Sequence, residues 1–129
     1  MTYESNRYFK IWAFTVSHNT LIIRSEMQIS DEDTNMPIND FTVDLEFWDV
    51  VYSQFPSNFY GISLQLEEQD SSEHLEKFVD SDHKIFVISS EGVQYYIVAA
   101  GCVVGKSQWI NEHRISNFYL KYDEILLSL

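Results

Sequence analysis

Residues 8–28, YFKIWAFTVSHNTLIIRSEMQ, hold two apolar runs on either side of a short polar break. The runs are 8–17 and 20–28, and His18 and Asn19 form the break. We interpret the stretch as a β-hairpin, because Asn tolerates the positive φ that tight turns require. In the first run both alternating sets of side chains are largely apolar. A strand that is apolar on both faces needs cover on both, which predicts a position in the middle of a sheet.

Four more strands are predicted further along the chain. Residues 41–48 alternate apolar with polar side chains, as do residues 60–67, and we expect these two strands to pair in antiparallel fashion. Residues 85–89 and 93–100 form a second hairpin around a turn at 90–92, whose Gly is free to adopt positive φ. The prediction is therefore about six antiparallel strands, arranged as two hairpins and a strand pair.

Two helices are predicted beside this sheet. Apolar residues recur at helical spacing within a short helix over 71–79. Near the C-terminus the 3.6-residue period holds for three turns, which predicts a helix over 117–128. Residues 115–122 alone also fit a strand, so that alternative stays open. The apolar positions of the C-terminal pattern are Phe118, Tyr119, Tyr122, Ile125, Leu126 and Leu129.

The expected fold is α+β, with helices packed on one face of a mostly antiparallel sheet. An all-β sandwich or barrel is the alternative. The chain has 129 residues, of which 45% are hydrophobic, and this is the size and composition of one globular domain. We therefore expect a single domain over residues 1–129.

Acidic residues outnumber basic ones, with 20 Asp and Glu against 8 Lys and Arg and a net charge of −12. Nucleic-acid binding is disfavoured, because neutralising phosphates needs clustered Lys and Arg. Anionic membrane surfaces are disfavoured for the same electrostatic reason. An acidic surface instead attracts a basic protein partner. Solubility alone is the other explanation of the charge.

The compartment is predicted from the lone cysteine and the absence of targeting signals. With Cys102 as the only cysteine, no intramolecular disulfide can form, which is typical of a reducing compartment. Residues 1–10 lack the apolar core of a signal peptide. The longest apolar run, 95–105, is shorter than the ~18–20 residues that cross a bilayer. We therefore expect a cytoplasmic protein that makes no membrane contact.

One segment partly matches a calcium-binding loop. Asp31, Asp33 and Asn35 stand at the first, third and fifth ligand positions. The match then fails, because Met36 occupies the position that needs Gly, and Thr42 the position that needs a bidentate Glu. We interpret the segment as a solvated acidic loop.

Other candidate reactive groups give no recognisable site either. Asp80, Asp82 and His83, with His74 nearby, match no tetrahedral metal site. Cys102 lies inside an apolar run, where burial disfavours its thiolate. We therefore predict no catalytic, cofactor-binding or metal-ligating residue, and we do not expect an enzyme.

The polar face of the 41–48 strand is the predicted partner-binding surface. It combines an aromatic side chain with carboxylates, and such surfaces bury aromatic area while their acids meet Arg or Lys. The alternative is that Trp48 packs under the C-terminal helix. The predicted partner-binding residues are Thr42, Asp44, Glu46, Trp48 and Asp49.

The leading functional hypothesis is a small acidic cytosolic binding protein whose partner is a more basic protein. An inhibitor or immunity-type protein is one concrete form. The first alternative is a small-molecule binder or enzyme with a sheet cavity lined by Tyr8, Trp12, Tyr95 and Tyr96. The second is a structural domain that forms a homo-oligomer through its apolar hairpins.

Overall fold

The computed structural model describes residues 1–28, 39–67 and 73–129, and these form nine strands in one antiparallel sheet. A short 3-10 helix spans Glu73–Phe78. The strands are β1 (Thr2–Thr15), β2 (Thr20–Ser25), β3 (Thr42–Trp48), β4 (Tyr52–Gln54), β5 (Asn58–Leu66), β6 (Lys84–Ser90), β7 (Val93–Ala99), β8 (Gly101–Ser107) and β9 (Glu124–Ser128).

The predicted α+β class is wrong, since the described residues contain no α-helix. The alternative of an all-β sandwich or barrel fits the structure. In place of the predicted helix over 117–128 there is an irregular segment followed by β9. Where a short helix over 71–79 was predicted, the structure has the 3-10 helix Glu73–Phe78. Residues 71 and 72 lie outside the described part. No helix within that part is long and apolar enough to cross a membrane.

Both predicted hairpins are present. In the first, β1 pairs with β2 up to Thr15↔Thr20, and Asn19 adopts a φ of 49° in the turn. In the second, β6 pairs with β7 up to Ser90↔Val93. Glu91 and Gly92 then have φ values of 50° and 79°, the two positive angles that suit a tight hairpin turn.

The predicted pairing of the strands near 41–48 and 60–67 is wrong. The strand order is β4-β7-β6-β5-β1-β2-β3-β8-β9, so β3 lies between β2 and β8, and β5 lies between β6 and β1. β1 is thus the middle strand, as its apolar faces predicted. Each polar-apolar alternation was consistent with many partners, and only long-range packing selects among them.

The sheet curls on itself because the stretch that forms β3 and β4 pairs twice with the stretch that forms β7 and β8, once on each side of a bend. β3 pairs with β8, and β4, after a bend at 49–51, pairs with β7. β7 and β8 are themselves separated by Ala100 alone. The ladder continues through the bend, where Ala100 N–H donates to the Trp48 carbonyl at 3.0 Å and Val51 N–H to the Val98 carbonyl at 2.9 Å.

The main core fills the inside of this curled sheet, where strands that are distant in the sheet order make contact. The rings of Phe47 on β3 and Phe86 on β6 meet edge to face, with centroids 5.6 Å apart. The core residues are Phe9, Leu21, Ile23, Val43, Leu45, Phe47, Val50, Phe59, Ile62, Leu64, Phe86, Ile88, Ile97, Ala99, Cys102 and Val104.

Two patches on the outside of the sheet are covered by chain that is not in strands. The 3-10 helix covers the outer face of β6 and β7, where Leu75 packs against Ile85, Val87 and Val98. Residues 108–123, which link β8 to β9, cover the outer face of β2, β3 and β8. We call residues 108–123 the strap.

Cys102 is expected to be unreactive toward a thiol reagent while the chain is folded. Its side chain is buried in the core, and burial raises the pKa of the thiol, with a smaller contribution from Glu46. In a reaction with 5,5′-dithiobis(2-nitrobenzoate), the rate should increase sharply only at urea concentrations that unfold the chain. Fast labelling without denaturant would contradict the buried position.

Candidate functional site

The outer face of β2 and β3 bears a buried ion pair. Arg24 and Asp44 lie directly opposite each other in the ladder. Arg24 Nε donates to Asp44 Oδ1 at 2.6 Å and Nη2 donates to Oδ2 at 2.9 Å, and both side chains are 0% exposed. The indole of Trp12 lies 4.8 Å from the guanidinium. Burial raises the pKa of Asp44, and the bidentate contact with Arg24 opposes this shift.

The strap is fixed over this pair through its backbone carbonyls. Arg24 Nη2 donates to the Glu112 carbonyl at 2.7 Å, and the Thr42 hydroxyl donates to the Trp109 carbonyl at 2.7 Å. Arg24 therefore links two neighbouring strands and the strap. The partners compensate for the cost of burying its charge.

A second charged cluster joins the strap to β3. Arg114 Nε and the Tyr122 hydroxyl both donate to Glu46 Oε1, each at 2.9 Å. Burial, then the charges of Asp44 and Glu46, raise the pKa of Tyr122, so its hydroxyl stays a donor. Arg114 Nη1 also donates to the carbonyls of Phe118 and Leu120.

These contacts explain why the predicted C-terminal helix is absent. The partly buried guanidinium of Arg114 donates to the Phe118 and Leu120 carbonyls, which lie within the predicted helix. In an α-helix those carbonyls would accept from the helix's own N–H groups. The irregular strap leaves them free to accept from arginine. Leu127 in β9 and Leu129 just after it pack against the core, in the two-residue period of extended chain.

Gly105 allows Tyr122 to lie flat against β8. A Cβ built on Gly105 would stand 2.2 Å from the Tyr122 ring. On its other side the ring contacts Trp109, with centroids 5.0 Å apart. The aromatic ring of Tyr122 thus occupies the space that any other residue at position 105 would fill.

The outer end of the strap presents two aromatic side chains to solvent. Phe118 and Tyr119 are 66% and 79% exposed, and their rings stack with centroids 4.3 Å apart. The turn that presents them is held by the Leu120 N–H, which donates to the Asn117 carbonyl at 3.2 Å, and by Arg114. We call Phe118 and Tyr119 the aromatic tip.

A groove of about 700 Å³ lies between the strap and the outer face of β3, β8 and β9. Trp48, Val103 and Ile125 contribute apolar surface to it, and Glu46, Arg114 and Lys121 contribute charge. Arg114 therefore lines this groove and also holds the turn of the aromatic tip.

The predicted partner-binding residues are divided by the structure. Thr42, Asp44 and Glu46 are buried under the strap, so the solvent exposure predicted for their side chains is wrong. Trp48 and Asp49 are exposed, and Trp48 packs over Gly101 instead of under a helix. A partner-binding role for these residues stays a prediction. Sequence reasoning missed the aromatic tip, because its residues were assigned to a helical face.

The residues proposed to line a sheet cavity are not brought together. Tyr95 packs into the main core against Phe59, and Tyr96 packs beside the 3-10 helix on the opposite face of β7. On β1, Tyr8 contacts Tyr60, and Trp12 lies beside Arg24.

The calcium-loop residues Asp31, Asp33 and Asn35 lie outside the described part of the chain. Across 1–28, 39–67 and 73–129, no cluster of three or more His, Cys, Asp or Glu could hold a metal ion. His83 is instead hydrogen-bonded on both ring nitrogens. Nδ1 lies 2.7 Å from Asp80 Oδ1, and Nε2 lies 2.9 Å from Asp49 Oδ2.

His83 is expected to make the stability of the chain depend on pH near neutrality. The hydrogen bond to Asp80, with a further contribution from Asp49, raises the pKa of His83, against the opposing effect of burial. Its contribution should be complete below the ordinary His pKa of about 6.5 and lost as pH rises through the folded-state pKa. The difference in unfolding free energy between wild type and His83→Gln should shrink over that window.

An NMR titration tests the same shift directly. The His83 ring signal should titrate above the ordinary value, and in Asp80→Asn its pKa should fall toward that value. A midpoint at or below about 6.5 in the wild type would contradict the double hydrogen bond.

The chain matches no protein-family model, no curated protein and no solved structure.

Proposed function

We propose that this chain is a small acidic cytosolic binding protein that contacts a more basic protein through the aromatic tip, aided by its acidic net charge. An inhibitor or immunity-type protein, which covers a basic functional surface of its target, is the concrete form of the proposal. The observation that carries it is the exposure of the stacked Phe118 and Tyr119 rings on a turn that Arg114 holds by hydrogen bonds.

Exposed, stacked aromatic side chains favour a protein interface. Tyr and other aromatic residues are enriched among the residues that dominate binding energy, because they bury large area at low cost in side-chain entropy. The turn that presents Phe118 and Tyr119 is fixed by Arg114 and by the hydrogen bond from Leu120 N–H. A fixed turn reduces the ordering cost of binding.

The acidic balance of the chain favours a basic partner. Glu112, Asp123 and Glu124 are exposed on the strap and at the start of β9. The whole chain has a net charge of −12, which steers a cationic partner toward it and repels a second copy.

The proposal is tested by capture with matched variants. The tagged chain is expressed in its native cells and retained proteins are identified at about 0.05 M and about 0.5 M salt. The double variant Phe118→Ser/Tyr119→Ser removes the tip. The control is Phe14→Ser/Val16→Ser, which removes two other exposed apolar side chains, at the end of the first hairpin.

The expected result is one basic protein that wild type and control retain at low salt and release at high salt. With that protein purified, the tip variant should bind at least about tenfold more weakly than the control. Three results would each overturn the proposal: equal binding by the tip variant and the control, retention of acidic proteins alone, or no specific retention.

A further inference from the structure

The groove beside the strap is locally positive within a strongly acidic chain. Arg114 and Lys121 contribute two positive charges, against one negative charge from Glu46. Oε1 of that carboxylate already accepts from Arg114 Nε and from the Tyr122 hydroxyl. Glu46 and Arg114 therefore balance each other, and Lys121 leaves the lining of the groove with one surplus positive charge while the whole chain stands at −12.

Both cations have hydrogen-bonding capacity to spare. Lys121 makes no hydrogen bond or ion pair with any residue that the structure describes. Arg114 uses Nε and Nη1, and its Nη2 makes no hydrogen bond to the described residues. Donors of this kind, lining a concave and partly apolar surface, favour an anionic group, because charge-assisted hydrogen bonds are the stronger ones.

The remaining lining is apolar and suits a hydrocarbon body. Trp48 from the end of β3, Val103 from β8 and Ile125 from β9 line the same groove. Trp48 is 39% exposed and Ile125 is 51% exposed, so ligand binding would remove apolar surface from water. The volume of about 700 Å³ lies within the range of small-molecule sites, roughly 300–1,000 Å³.

We propose that this groove binds a small amphipathic monocarboxylate. Its carboxylate is held by Lys121 Nζ and Arg114 Nη2, and its apolar body lies against Trp48, Val103 and Ile125. The site does not depend on the proposed protein partner, because neither Phe118 nor Tyr119 lines the groove. The two proposals therefore fail in separate experiments.

Three ligands of one length and different head groups test the site. Octanoate, octanamide and octylamine are titrated into the ¹⁵N-labelled chain, and the Trp48 indole signal is assigned with Trp48→Phe. Octanoate should shift the signals of Trp48, Val103 and Ile125. Its Kd should be at least about tenfold below that of octanamide, and octylamine should bind most weakly.

Paired lysine variants provide the control. Lys121→Met should raise the Kd for octanoate by about tenfold. Lys84→Met should leave it unchanged, since Lys84 lies at the start of β6 and does not line the groove. The amide spectrum of each variant shows that it is folded. Equal binding of octanoate and octanamide, preference for octylamine, or an unchanged Kd in Lys121→Met would overturn the site.

Discussion

Arg24→Met is expected to lower the free energy of unfolding by about 3–5 kcal/mol, the effect of removing one partner from a buried ion pair. Among the described residues, the substitution leaves the fully buried carboxylate of Asp44 with one hydrogen-bonding neighbour, the Tyr122 hydroxyl, which lies 3.4 Å away and is closer to Glu46. It also removes the donor to the Glu112 carbonyl. Urea denaturation at neutral pH, followed by circular dichroism, measures the loss.

The surface ion pair between Lys10 and Glu26 is the matched control. Its atoms are also close, at 2.8 Å, but both side chains are about two-fifths exposed. Lys10→Met should therefore cost less than about 1 kcal/mol. The double variant Arg24→Met/Asp44→Leu should be more stable than Arg24→Met alone, because it leaves no unpaired buried charge. Similar decreases in the free energy of unfolding for Arg24→Met and Lys10→Met would contradict the burial of the Arg24–Asp44 pair.

Gly105→Ala should displace the strap and cost about 1–3 kcal/mol, the usual range for overpacking. The new methyl group would occupy the position of the Tyr122 ring, 2.2 Å from its nearest atom. Because Tyr122 is enclosed between β8 and Trp109, the ring can move only if the strap moves. Hydrogen exchange at Asp123 N–H, which donates to the Lys106 carbonyl, should become faster, as should exchange at Leu120 N–H.

Two controls test whether the clash with the Tyr122 ring is the cause of the effect. Gly101→Ala meets the ring of Trp48 at 2.0 Å, but that ring is partly exposed and can turn away. It should leave exchange in the strap unchanged. In a Tyr122→Ala background, Gly105→Ala should cost little, since the space is empty. An equal cost in both backgrounds would show that the methyl group meets something other than Tyr122.

Local signals in the sequence were sufficient for the hairpins. Asn19 and Gly92 stand where the chain needs positive φ, and apolar runs flank each turn. The alternation in β3 was also interpreted correctly, since its apolar set lies in the core. These features depend on residues close together in sequence, so turn propensity and the two-residue period of apolar side chains are enough to predict them.

Long-range features could not be predicted in the same way. The polar side chains of β3 were expected to be exposed to solvent. Most of them are buried, because the strap, some 70 residues later, supplies Arg114 and Tyr122 as partners. The apolar side chains that gave a helical period near the C-terminus do not share one face, because they lie in three different environments. Phe118 is in solvent, Tyr122 lies on β8, and Leu129 packs against the core.

The bent strand pair has a consequence for how the chain folds during synthesis. β3 can pair with β2 early, but its second partner β8 and the partner of β4, β7, are made much later, and Thr42 pairs with Ser107. Until then the nascent chain exposes an unpaired apolar edge, which favours aggregation. Pairings between residues so distant in sequence also slow folding, into roughly the millisecond-to-second range. The yield of soluble chain should therefore improve when translation is slowed at low temperature or when chaperones are supplied.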